Sequence, residues 1–261
     1  TASSNSALGY GALKENTTGI FNVAVGFGAL DANTTANNNT AVGTNSLSAC
    51  TTGTQNTALG SYALNASTTS NDNTAVGYSA LIANTTGYQN VAVGAHSGDA
   101  ITTGNSNTTV GYQAGTALTT GSNNNFFGSL AGKSSTTSDF NCAFGQEALE
   151  ANTTGDSNIA MGFRALTANT TGANNVAVGG NALDANTNAN NNSAVGYQSL
   201  SANTTGVQNT ALGSNSLAFM QTGNDNTGLG YIALYNASGN QNTAVGSRAL
   251  QDMTSGDDNT A

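Results

Sequence analysis

The chain has 261 residues, enough for one or two ordinary domains, yet only 7% are charged, none is Pro or Trp, and 33 are Gly. Thirteen acidic residues against four basic ones (Lys14, Lys133, Arg164 and Arg248) give a formal charge of −9; no phosphate-tracking surface can be built from so few cations, which argues against nucleic acid as a partner. With 37% apolar residues and few charges the composition is not that of a disordered chain, and no apolar run reaches the length that crosses a membrane, so no membrane insertion is expected of this segment.

Taken in chain order, one pattern recurs from end to end. A Gly follows a small–apolar pair at Gly9, Gly26, Gly43, Gly60, Gly77 and Gly94, and continues at intervals of seventeen to Gly230, with Gly246 one residue early. Four residues before each Gly stands an Asn, from Asn5 through Asn22, Asn39, Asn56, Asn73 and Asn90 to Asn242, and Asn259 opens a partial copy. Residues 5–258 thus form fifteen complete units, fourteen of 17 residues and one of 16. The reading is a single repeat domain over 1–261, expected to be an excerpt of a longer fibre because both ends fall inside the pattern.

Counting columns from the Asn, each position has its own character. Column 4 is apolar in every unit (Leu8, Val25, Val42, Leu59 and onward) and column 8 is always Ala or Ser. Column 9 is Leu except at Gly98, Gly115 and Gly132, and columns 12 to 15 read mostly Asn-Thr-Thr-Gly, the chemistry of turns. Seventeen residues are too few for a helix pair, and Gly in every unit opposes helix. Two short strands per unit, N-x-A-V-G and x-A-L-x-A, with Gly- and Asn-rich corners, predict one coil of an all-β parallel β-solenoid or β-roll. Fifteen coils at the ~4.8 Å strand spacing would make a rod of about 70 Å. Stacking sets each column above itself, so Asn22, Asn39, Asn56, Asn73 and Asn90 are expected to form an amide ladder beside Gly26, Gly43, Gly60, Gly77 and Gly94. Where column 9 falls to Gly98 and Gly115, column 12 rises to Ile101 and Leu118, as a core of fixed volume requires. The 16-residue unit loses its residue near 237–239, in a corner.

Through the motif N-x-A-V-G, as in NVAVGFGAL (22–30) and NNVAVGGNAL (174–183), the chain resembles the head repeats of YadA-like trimeric autotransporter adhesins. It is more similar still to the Asn-Thr-Gly-rich repeats of phage and bacterial tail-fibre-like proteins. The resemblance covers the whole chain and implies a β-roll wound as a homotrimer on a cell or virion surface, acting as a fibre shaft or an adhesive head. Two departures are a longer period and x-Ala-Leu-x-Ala in place of a second Ser-x-Ala-x-Gly strand. Independently of it, alternation puts column 4 on the opposite face from columns 3 and 5. Either Val/Leu fills the coil and the Ala and Gly columns pack against other chains, or Val/Leu lines a trimer axis. In both cases two apolar faces need cover and a lone solenoid covers one, so self-association is expected.

No catalytic, cofactor or metal constellation is legible, and an enzyme is not expected. His96 is the only His and reads as a polar residue of variable column 7. Cys50 and Cys142 lie six coils apart in different columns, about 29 Å at the strand spacing, too far for a disulfide. Acidic residues form no column of the kind that calcium-binding β-rolls show. Sequons such as those at Asn16, Asn84 and Asn203 arise from the repeat itself. Thr17, Thr34, Thr51 and their equivalents, with Thr18 and Thr35 beside them, could form an ice-binding array, but satisfaction of corner backbone groups is the preferred reading. Column 6 carries Tyr10, Phe27, Tyr78, Tyr112, Phe163, Tyr197 and Tyr231, candidates for a surface-binding stripe toward a cell-surface glycan or protein receptor, against half-buried packing. The expected function is a structural segment of an extracellular or surface-exposed fibre or adhesin. The alternatives are an ice- or glycan-binding solenoid and a self-assembling filament subunit.

Overall fold

The computed structural model describes residues 2–261. The chain divides into two compact units, Thr1–Ser129 and Leu130–Ala261. Each is a β-solenoid of coils about seventeen residues long. The only strands among the described residues are three residues long and occupy columns 2 to 4 of each coil. The first unit runs from β1 (Ser6–Leu8) through β5 (Thr74–Val76) and β6 (Val91–Val93) to β8 (Asn125–Phe127). The second runs from β9 (Cys142–Phe144) to β14 (Thr227–Leu229) and β15 (Thr243–Val245). Within each unit neighbouring strands are consecutive in the chain, parallel and in register, as where β5 sets Thr74, Ala75 and Val76 opposite Val91, Ala92 and Val93 of β6.

Why the strands stop after three residues is set by column 5. Gly77 adopts a φ of +134°, and a Cβ there would lie 2.5 Å from the carbonyl oxygen of Gly94 in the next coil. An L side chain meets both a forbidden backbone region and a backbone wall, so Gly recurs. The chain then enters x-A-L-x-A, and here the expectation of a second strand is corrected. Columns 7 and 9 both lie in the left-handed region, at Ser79 (φ 55°) and Leu81 (φ 51°) in the fifth coil, and alternation of this kind cannot make an extended strand. Column 17 is left-handed too, at Gln89 (φ 57°).

The backbone groups freed by this path pair between coils. In the fifth coil Thr74, Leu81 and Ala83 donate forward to the carbonyls of Asn90, Ser97 and Asp99, while Gly77, Ser79 and Gln89 donate back to Leu59, Ser61 and Asn71. A coil inside a unit is therefore bonded on both sides, which satisfies the requirement that buried main-chain groups find partners. The 16-residue unit keeps this register: Thr227 pairs with Thr243, and Asn242 N–H still reaches the Asn226 side chain at 3.0 Å.

The interior is built from small residues and one large one per coil. Column 3 Ala (Ala24, Ala41, Ala58, Ala75), column 8 Ala or Ser and column 9 Leu are buried. Holding Leu left-handed costs roughly 1–2 kcal/mol, and burying its side chain returns roughly 1.5–3 kcal/mol. The balance is close, which explains why Gly can replace it wherever another side chain fills the space. At Gly98 a Cβ would stand 3.0 Å from Ile101 Cδ1, and at Gly115 3.1 Å from the buried ring of Phe126, a column 3 residue turned inward. Column 4 faces the other way, so the Val/Leu column is the outer wall and Ala the inner one.

Gly77→Ala should lower the urea midpoint of unfolding by at least the equivalent of about 2 kcal/mol. Gly180→Ala is the control, since its new Cβ meets only the Tyr197 ring at 3.5 Å and should be close to neutral.

Candidate binding surface

Two amide columns hold the coil from within. Asn73 is fully buried; its Nδ2 donates across the coil to the Gly87 carbonyl at 2.9 Å, and its Oδ1 accepts the Asn90 N–H at 2.9 Å. Asn22, Asn39, Asn56 and Asn90 make the same cross-coil bond, to Ala36, Gly53, Ser70 and Gly104. The second unit repeats it, with Asn158 bonded to Gly172 and Asn141. Column 12 forms a second, interrupted ladder. Asn33 donates to Asn16 Oδ1 at 3.0 Å, but its own Oδ1 has no partner because Cys50 occupies the next place. Asn203 Oδ1 is likewise orphaned below Met220, and Asn84 lies between Ser67 and Ile101 with its amide unpaired. These Asn residues face inward, so the sequons at Asn84 and Asn203 present no accessible amide in the folded chain.

Outside the coil, charge is sorted by column. Columns 2, 4 and 6 carry no charged residue in any unit; all seventeen fall in columns 7, 10, 11, 16 and 17. The neutral face keeps large apolar side chains in the open, with Leu59 47%, Val93 36% and Leu212 48% exposed. Within each unit such an apolar row exceeds the scattered exposed residues normal on a surface.

Column 6 lies next to it. Tyr10, Phe27, Tyr78, Tyr112, Phe163, Tyr197 and Tyr231 are all exposed, Tyr10 most of all. Tyr10 and Phe27, in adjacent coils, stack at 5.5 Å, and Tyr78 meets Tyr62 and His96 edge-on. His96 also pairs with Asp99 at 3.1 Å. The column 13 hydroxyls turn toward the chain: Thr85 Oγ1 donates to the Thr102 carbonyl at 3.2 Å and Thr153 Oγ1 to that of Thr170 at 2.9 Å. Column 14, at Thr86 and Thr103, is left exposed.

Among the described residues no group of three or more His, Cys, Asp or Glu could hold a metal ion, no pocket opens, and no helix is long and apolar enough to cross a membrane. Both cysteines are free thiols. Burial pushes the Cys50 thiol from 9.0 up to about 11, and the neutral thiol donates to the Gly53 carbonyl. No protein-family model, curated protein or solved structure matches the chain.

Replacing Cys50 with Asn should rejoin the column 12 ladder, with the new Nδ2 reaching Asn33 Oδ1, and raise stability by about 1 kcal/mol in thermal unfolding. The raised thiol pKa adds a pH signature. An acid held neutral by burial contributes stability that is present below pH 9.0 and lost as pH climbs toward about 11. Unfolding midpoints measured by circular dichroism from pH 8 to 11 should therefore fall more steeply for the native chain than for Cys50→Asn.

Proposed function

We propose that the chain is a structural segment of an extracellular, surface-exposed fibre or adhesin, wound as a homotrimer, and that it serves as a spacer rather than a catalyst. One observation carries the reading: a neutral, apolar outer face recurs in every coil of a chain whose net charge is −9. Acidic copies repel one another everywhere except at a face without charge. Copies with the same period also keep their rows in register over a unit, which a partner with another repeat cannot do.

Covering the exposed half of one Val or Leu contributes about 1 kcal/mol. Column 4 is a third or more exposed at Leu8, Leu59, Val93, Phe144, Met161, Val195, Leu212 and Val245, and covering these contributes about 8 kcal/mol per chain, of the same order as the roughly 4–15 kcal/mol lost in translational and rotational freedom. The placement of the polar groups supports a fibre role, since the amides and main chain are used to join coil to coil.

Light scattering on the native chain should give the mass of three chains. Val76→Asp with Val93→Asp should give single chains with an unchanged circular dichroism spectrum, because both side chains point outward. Single chains in the native sample would remove the trimer, and an open-ended polymer would make the chain a self-assembling filament subunit instead.

A further inference from the structure

In the second unit the aromatic column acquires a spacing of its own. Phe163, Tyr197 and Tyr231 stand in every second coil, with Gly180 and Ser214 in the coils between. Twice the strand spacing is about 10 Å, and this separates successive rings along the coil axis. All three are about half exposed, at 50%, 54% and 49%. The small residues make room for the rings: Tyr197 leans over Gly180, its Cδ2 3.5 Å from where a Cβ would be. Beside this row, one column on, runs a row of side-chain amides, Asn181, Gln198 and Asn215, each half-exposed, bounded by Arg164 beside Phe163 and paired with Glu147, and by Ile232 beside Tyr231. Their backbones are held left-handed at φ 52–55°, so the amides recur at the same place in successive coils.

Three features describe the ligand. The rings offer electron-rich faces to polarised C–H groups, the amides offer paired donors and acceptors, and no charged residue lies in the aromatic column. A neutral, extended polymer whose repeat is two coils long meets all three. In a β-1,4-linked pyranose chain the disaccharide repeat has that length, and each sugar presents C–H groups from its ring face. An acetamido substituent adds a donor–acceptor pair that an Asn or Gln amide matches. We infer that Phe163, Tyr197 and Tyr231, with Asn181, Gln198 and Asn215, form a linear binding site for an N-acetylated β-1,4-linked glycan of the chitin type. The aromatic row borders the columns 2 and 4 assigned to other copies, and the inference does not rest on the oligomeric state.

The test uses the full chain and three insoluble polysaccharides: chitin, cellulose, and starch, whose α-1,4 linkage coils the polymer and breaks the spacing. Co-sedimentation should show chitin bound at least tenfold more tightly than starch and several-fold more tightly than cellulose. Changing Phe163, Tyr197 and Tyr231 together to Ser should reduce chitin binding at least tenfold, while Tyr197→Phe should retain it. The Ser variant is expected to fold, since Ser61 and Ser129 already occupy column 6, and its circular dichroism spectrum should match the native one. Chitin binding no stronger than starch or cellulose binding, or retained by the triple variant, would overturn the site. A triple variant of changed molar mass would also overturn it, by making the aromatics a contact between copies. A native chain that sediments with chitin but scatters light as a single chain would support the site while removing the trimer.

Discussion

The structure depends on one side chain, the Asn of column 1. Its amide spans the inside of the coil to the column 15 carbonyl, as from Asn73 to Gly87, and its oxygen receives the main-chain N–H of the next Asn. One residue thus sets the width of the coil and ties it to its neighbour. Asn carries a donor and an acceptor on one short planar amide, and Gln, the other side-chain amide, is one methylene longer. Buried without these partners the same amide would be costly, and column 12 shows the consequence on a small scale. There the ladder breaks at Cys50 and Met220, and the carbonyls of Asn33 and Asn203 are left unpaired.

Around that strut the main chain accepts a high level of left-handed geometry. Columns 7, 9 and 17 hold positive φ in every coil, mostly without Gly; at column 9 Leu endures it in exchange for burial. Tolerance depends on what the side chain gains. Ile232, β-branched and only half-buried at φ 58°, gains least, whereas Asn45, Asn181 and Asn215 in the same column suit the conformation. Column 5 allows no such exchange, because the neighbouring coil's carbonyl occupies the space.

Much of this was legible from spacing alone. The seventeen-residue period, the three-residue strand ahead of column 5, the corner placement of the deletion near 237–239 and the exchange of Leu for Ile101 beside Gly98 all follow from columns that must stack; beside Gly115 the space is taken by Thr109 and Phe126 rather than by Leu118. The x-A-L-x-A segment misled because apolar residues two apart look like a strand, and the left-handed φ that denies it is carried by Leu, Ser and Gln rather than by Gly. The surface stripe was legible as a column of aromatics. Its two-coil rhythm between Phe163 and Tyr231 has physical meaning only once the distance between coils is known.

By itself the sequence determined the repeat, its register and the residues that stack, because a strict period leaves each side chain only its own copies as neighbours. Tertiary structure alone decided which apolar column faces in. Ala75 and Val76 alternate equally well in either orientation, and hydrophobicity favours Val inside. The coil closes around a cross-brace of Asn and an inward Leu, and this leaves room for a methyl group but not for an isopropyl. Val is turned outward by lack of space, and the exposed face that results is the surface from which the proposed assembly begins.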